Sequence, residues 1–159
     1  GSVSQTDKRK GGPMARIAQL EPNVFVAGQL TEDDFAAIAE RGIRTVVNNR
    51  PDGEAEDQLA SERAEVAALR YGLVYRHLPV TNHDVTDEAP VAAQAEALAR
   101  LPGPILFYCR SGNRSSILWA QASAARLGTD TVLARAAAAG FDLDELREFI
   151  DEHAAALAA

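Results

Sequence analysis

From Ile17 onward, short apolar runs alternate with longer stretches in which apolar residues recur every three or four positions, the pattern of strands feeding amphipathic helices. Val24-Phe25-Val26-Ala27 predicts a strand closed by Gly28. A helix is predicted next, with the Thr31 hydroxyl as its N-cap, the acidic Glu32, Asp33 and Asp34 at the positive end of its dipole, and Gly42 as its stop. Ile43 to Asn48 is β-branched and short enough for a central strand, and Pro51-Asp52-Gly53 is turn chemistry. A second helix is predicted from about Asp57 to Arg70, a strand over Leu73 to Val80, and a loop over Thr81 to Thr86. The following helix runs to about Leu101, with Val91, Ala95, Leu98 and Leu101 along one face, and Pro102-Gly103-Pro104 ends it.

Ile105-Leu106-Phe107-Tyr108 is wholly apolar between that stop and a polar loop, which predicts a strand buried on both faces. Ser115 to Leu127 is helical in pattern and Gly128 closes it. Two Ala-rich helices, about Asp130–Ala139 and Leu143–Leu157, finish the chain. The pattern as a whole is that of an α/β sheet flanked by helices.

Composition narrows the class. The chain has 159 residues, 47% hydrophobic and 25% charged, as expected of one ordinary globular domain. Gly1 to Pro13 is polar, Gly-rich and locally basic, and its opening Gly-Ser looks like a tag remnant; residues 1–13 are expected to be a disordered tail and 14–159 the domain. One cysteine excludes a disulfide framework, a zinc ribbon and a Cys₄ cluster, and fits a reducing compartment. No metal or cofactor is expected, and cytoplasm is the default location. The net charge of −7 argues against binding nucleic acid through its phosphates. No apolar run approaches the ~20 residues of a membrane span, and no signal-peptide pattern opens the chain, so a membrane role is not expected.

The chemistry concentrates in Cys109-Arg110-Ser111-Gly112-Asn113-Arg114-Ser115, between the buried strand and a helix. A thiol there faces the unpaired N–H groups and positive end of the helix, an environment that favours thiolate over thiol. Gly112 lets the loop curl so that successive N–H groups point inward, the nest that holds anions. Arg114 adds a planar fork able to grip two oxygens at once, and Ser115 is placed to offer its hydroxyl to the Cys109 sulfur. An ordinary lone cysteine is a small buried hydrophobe; Gly, Arg and Ser at these spacings argue otherwise. His77 and His83 carry no sign of reaching Cys109, and His153, in the last helix, is expected to be solvated.

Several segments taken in order, Val24–Leu30 (VFVAGQL), Thr45–Asp52 (TVVNNRPD), Leu78–Asp84 (LPVTNHD), Ile105–Ser115 (ILFYCRSGNRS) with Trp119, and Ala138-Ala139-Gly140, resemble the phosphatase-like domain of the β-lactamase-hydrolase-like proteins. This is a bacterial group akin to tyrosine and dual-specificity phosphatases. The resemblance implies a three-layer phosphatase-like α/β fold with a central, mostly parallel sheet of about four or five strands and helices on both faces. It also implies Cys109 as nucleophile and Arg114 as anion clamp, with an acid loop over Thr81 to Asp87 in which Asp84 is the first candidate general acid and Asp87 the second. Arg50 looks like a family feature near the active loop, without an assigned role.

Two departures mark the sequence. Tyr108 stands where tyrosine phosphatases carry His, and four residues separate Cys109 from Arg114 where their pattern has five. The shorter spacing, with Arg110 directly after Cys109, resembles the active loop of rhodaneses. One residue fewer removes about 3.3–3.6 Å of contour and one backbone donor. A tighter ring suits a persulfide sulfur better than a phosphoryl group with three equatorial oxygens. The first expectation is therefore a sulfurtransferase that carries sulfane sulfur from thiosulfate or a persulfide to a thiol acceptor through a Cys109 persulfide. The alternative is a phosphate-monoester phosphatase with a cysteinyl-phosphate intermediate and Asp84 as proton donor. An inactive domain that only binds phosphorylated or sulfur-bearing partners is a third reading, against which the intact Cys109, Gly112 and Arg114 weigh. Both enzymatic readings expect a small anionic substrate.

Overall fold

Five strands and six α-helices are laid out along residues 16–159, the part of the chain described by this computed structural model. The expected tail over residues 1–13 lies outside it. The strands are β1 (Ile17–Glu21), β2 (Val24–Ala27), β3 (Thr45–Asn48), β4 (Val74–His77) and β5 (Ile105–Tyr108). The helices are α1 (Asp34–Glu40), α2 (Ser61–Arg70), α3 (Glu88–Arg100), α4 (Asn113–Leu127), α5 (Thr129–Ala138) and α6 (Arg147–Ala158).

The sheet order is β1-β2-β5-β3-β4, parallel except where β1 pairs antiparallel with β2. Side chains alternate across the sheet as strand geometry requires. Val26, Val47, Ile105 and Phe107 pack with Val91, Leu118, Trp119, Val132 and Ile150 on the α3–α6 side. Val46, Leu106 and Tyr108 pack with Phe35, Ile38, Ala64 and Ala68 on the α1–α2 side. Helices thus cover both faces, which is why the four residues of β3 and of β5 are buried throughout.

This topology decides where a ligand site can form. In the register Ala27 and Asn48 both stand beside Tyr108, so β2, β3 and β5 end level with one another. The chain then leaves β3 for α2 on one face and leaves β5 for α4 on the other. Neighbouring parallel strands that depart to opposite faces open a crevice beyond their carboxyl ends. The ladder runs on into its floor: Cys109 N–H donates to Ala27 O at 3.3 Å and Asn49 N–H to Tyr108 O at 2.7 Å.

Some elements differ from the sequence expectation. β1 has no counterpart among the predicted strands; only Leu20 of it is fully buried, the weak pattern of an edge strand. Glu21 anchors it, accepting from Trp119 Nε1 at 2.7 Å and from both Nη atoms of Arg126. Thr31 does not cap α1 with its hydroxyl; the roles are reversed, and the Asp34 carboxylate accepts the Thr31 N–H at 2.8 Å. α2 starts at Ser61, because Gln58 is drawn into the preceding turn by Glu54 and Ala55, and Asp52 Oδ1 takes the Ser61 N–H at 2.9 Å. The expected strand over 73–80 shortens to β4, although Leu78 and Val80 still donate to Asn48 and Asn49. The last helix is preceded by a 3-10 turn at Asp144–Leu146.

Candidate active site

Residues Cys109 to Gly112 link β5 to α4 at that crevice. Gly112 turns the chain into the helix with φ +95°, a left-handed value that glycine adopts without strain. An added Cβ there would stand 3.0 Å from the Phe141 ring. The turn aims the Gly112 N–H at the Cys109 sulfur, 3.2 Å away. Cys109 is only 1% exposed. Its setting is nonetheless polar, at the floor of a loop whose Arg110, Ser111 and Asn113 are exposed.

The first turn of any helix leaves N–H groups without intrahelical acceptors. Here the Asn113 N–H is taken by Ser111 Oγ at 3.2 Å. The N–H groups of Arg110, Ser111, Arg114 and Ser115 find no acceptor among the described residues. A glycine-turned loop beside a thiol, with four amides that lack acceptors among the described residues, has the donor set of an anion nest.

Arg114 lies buried beside this floor. Its Nη1 donates to Glu54 Oε2 at 2.8 Å and to Val80 O at 2.9 Å, and its Nη2 to Glu54 Oε1 at 2.9 Å. Glu54 also accepts from Arg50 Nε at 2.9 Å, so one carboxylate joins two guanidiniums. The Arg114 hydrogen bonds, with Arg50 assisting, hold the Glu54 carboxyl down at about 2. Arg114 is in turn pushed above its ordinary value, chiefly by Glu54, with the Cys109 sulfur adding to the effect. Arg50 gains a structural place here: its Nη1 donates to Gln29 Oε1 at 2.8 Å and its carbonyl pairs with His77 Nε2 at 2.8 Å.

Ser115 departs from expectation. Its hydroxyl donates to Asn49 Oδ1 at 2.8 Å and not to the sulfur. The reason is tertiary: Asn49, beside the loop at the end of β3, is the hub of a buried network. Its Nδ2 donates to Leu78 O and Gln94 Oε1, and its Oδ1 also accepts from Gln94 Nε2. Buried amides demand such saturation, and the nearest free hydroxyl supplies it. Tyr108 belongs to the packing cluster on the α1–α2 side, where its hydroxyl is buried with no hydrogen-bond partner among the described residues and burial pushes its pKa well above the ordinary value.

The candidate acid loop sits across from these groups. Asp84 is half-buried, and its Oδ1 accepts from the Thr81 N–H at 2.7 Å and the Thr81 hydroxyl at 2.8 Å, contacts that lower its pKa and favour the carboxylate. Asp87 precedes α3 and makes no side-chain cap. The far end of the loop is tied down, with Gln121 Nε2 donating to Val85 O and His153 Nε2 pairing with Thr86 O, each at 2.8 Å. His153 is therefore half-buried, not solvated as its place in the last helix suggested. Glu54, Asn49 and Gln94 carry no local signal of a role in the sequence. No group of three or more potential metal ligands exists among the described residues.

The chain is similar to known proteins over most of its length. The family model described as "Beta-lactamase hydrolase-like protein, phosphatase-like domain" matches residues 16–126. A beta-lactamase hydrolase-like protein of Xylella fastidiosa is 35% identical over 141 residues, covering 87% of this chain and 32% of its own length. The chain thus spans about a third of the curated relatives it matches. A candidate phosphatase of Neisseria meningitidis has a solved structure that is 34% identical, with a TM-score of 0.77 over 86% of this chain and 97% of that one. P. aeruginosa TpbA, solved in complex with phosphotyrosine, shares the fold with a TM-score of 0.59 at 15% identity over 94% of this chain and 98% of its own. No helix among the described residues is long and apolar enough to cross a membrane.

Proposed function

For this chain, which belongs to the family of the phosphatase-like domain of beta-lactamase hydrolase-like proteins, we propose hydrolysis of phosphate monoesters through a cysteinyl-phosphate intermediate. The observation that carries the reading is the set of four free loop amides around Cys109. The short loop argued for sulfur transfer because it lacks one donor, yet four amides and Arg114 are enough for the three equatorial oxygens of a phosphoryl group.

In this reading the Cys109 thiolate attacks phosphorus and forms the S–P bond as the ester oxygen leaves. The loop amides hold the equatorial oxygens, and Arg114 supports their charge through the donors that Glu54 and Val80 leave open. Asp84 exchanges its Thr81 contacts for the leaving oxygen and gives it a proton, which a basic alkoxide or phenoxide requires. Water then cleaves the S–P bond and releases phosphate. The substrate is a small anionic phosphate ester, and a phosphotyrosine-like aryl ester fits the fold kinship with TpbA.

Sulfur transfer from thiosulfate or a persulfide to a thiol acceptor remains the second reading, favoured by the four-residue spacing from Cys109 to Arg114. Intact-mass measurement separates the two chemistries. After brief exposure to an aryl phosphate and acid quench, the chain should carry one phosphoryl group, absent from Cys109→Ser. A stable gain of one sulfur atom from thiosulfate, with no phosphoryl adduct and no ester hydrolysis, overturns the proposal.

A further inference from the structure

A cavity of about 620 Å³ adjoins the active loop, between the segment that follows β2 and the segment that follows β3. That volume is of ligand size. Gln29, Glu32, Arg50, Asp57, Gln58 and Arg110 supply most of its polar lining. Arg110 is the residue directly after Cys109, and its carbonyl accepts the Gln29 N–H at 3.1 Å, so cavity wall and active loop are joined.

The polar groups of this lining divide into those already engaged and those free. Gln29 is occupied by Leu30 O and Arg50, and Gln58 by Pro51 O and the N–H groups of Glu54 and Ala55. Glu32 is neutralised by Arg63 at 2.9 Å. The exposed Arg110 side chain meets no acceptor and Asp57 no cation among the described residues. Arg50 is 4% exposed, and its Nη2 likewise has no acceptor among them. Since Glu54 is shared between Arg50 and Arg114, those three groups carry one net positive charge, which faces the Cys109 thiolate of the proposed mechanism on one side and, through Arg50, the cavity on the other. Arg110 adds a positive charge on the cavity wall, with the Asp57 carboxylate as the unpaired negative group of the lining.

We propose that this cavity receives a second anionic group of the substrate, held by Arg110 with Arg50 behind it. The preferred ester is then a small molecule carrying a further phosphate or carboxylate next to the phosphate that Cys109 attacks. This deepens the phosphatase reading, but anion binding can be measured without turnover, so each can fail separately. A guanidinium that pairs with an oxyanion in a concave site is worth about tenfold or more in affinity.

The test is calorimetric titration of the full chain with inorganic phosphate, pyrophosphate and tripolyphosphate. At least one polyphosphate should bind about tenfold or more tightly than phosphate. Arg110→Ala should reduce that preference about tenfold, Arg110→Lys should restore part of it, and Asp57→Asn should increase it. Arg100→Ala, which removes an equal charge from exposed α3, serves as the control. Absence of a polyphosphate preference, or an equal loss in Arg100→Ala and Arg110→Ala, overturns the second subsite whether or not the chain hydrolyses esters. Retention of the predicted pattern in a chain that hydrolyses none would keep the subsite and remove the phosphatase.

Discussion

Glu54 and Arg114, sixty residues apart in sequence, form a two-pronged ion pair, Oε2 to Nη1 at 2.8 Å and Oε1 to Nη2 at 2.9 Å. Across the crevice this contact fastens the β3–α2 segment to the first turn of α4. It also sets the plane of the guanidinium that lies next to the Cys109 sulfur.

A pH dependence follows from that pair. The Glu54 carboxyl, ordinarily near 4.5, is held at about 2 in the folded chain. A carboxyl depressed by folding contributes stability that is complete above its unfolded value and is lost as pH falls toward the folded one. Thermal unfolding between pH 7 and 2 should therefore show a fall in Tm that steepens below about 4.5. Glu54→Gln should be less stable at neutral pH by about 1.5 kcal/mol, the low end of the range for hydrogen bonds to a charged partner because the carboxylate is partly exposed. Its acid limb should be flatter. An unchanged limb would show that the pair does not contribute.

Asp84 can act as an acid only while protonated, and Thr81 works against that by donating two hydrogen bonds to its carboxylate. Asp84→Asn should slow esters with strongly basic leaving groups about 10²-fold or more. Nitrophenyl esters, whose leaving group needs no proton, should be affected far less. Thr81→Val removes the hydroxyl donor and keeps the N–H, so the Asp84 value should rise and the descending limb of the rate profile should move to higher pH. Comparable losses on both ester types, or a limb that moves down, would exclude Asp84 as the proton donor.

Asn49 offers a test of how the loop is held. Asn49→Ala strips hydrogen-bond partners from Gln94 and Ser115, both fully buried, so each leaves a polar group unsatisfied at about 1–3 kcal/mol. Urea unfolding should show a loss of about 2–4 kcal/mol, on the same scale. Ester hydrolysis should also fall, because Ser115 stands in the first turn of α4. Full stability in this variant would mean that water replaces the network.

The segment from Pro102 to Leu127 was readable in the sequence because everything that shapes it is local. A proline stop, four apolar residues, a glycine at the one position that needs a positive φ, and an amphipathic run each act within a few residues of one another. The candidate nucleophile, its glycine turn and the nearby arginine share that segment, so the candidate chemistry was legible with it. Relations between segments were not. Asn49 and Glu54 reach the loop only because β3 and β5 pair in parallel with Asn48 beside Tyr108, a register that no short stretch of sequence encodes. That pairing turned Ser115 from the sulfur toward Asn49 and placed Arg110 and Arg50 on one cavity. Edge strand β1 escaped for the same reason, since its anchors Trp119 and Arg126 lie in α4, about a hundred residues downstream. Local sequence determined which groups could do chemistry; long-range packing decided what each of them touches.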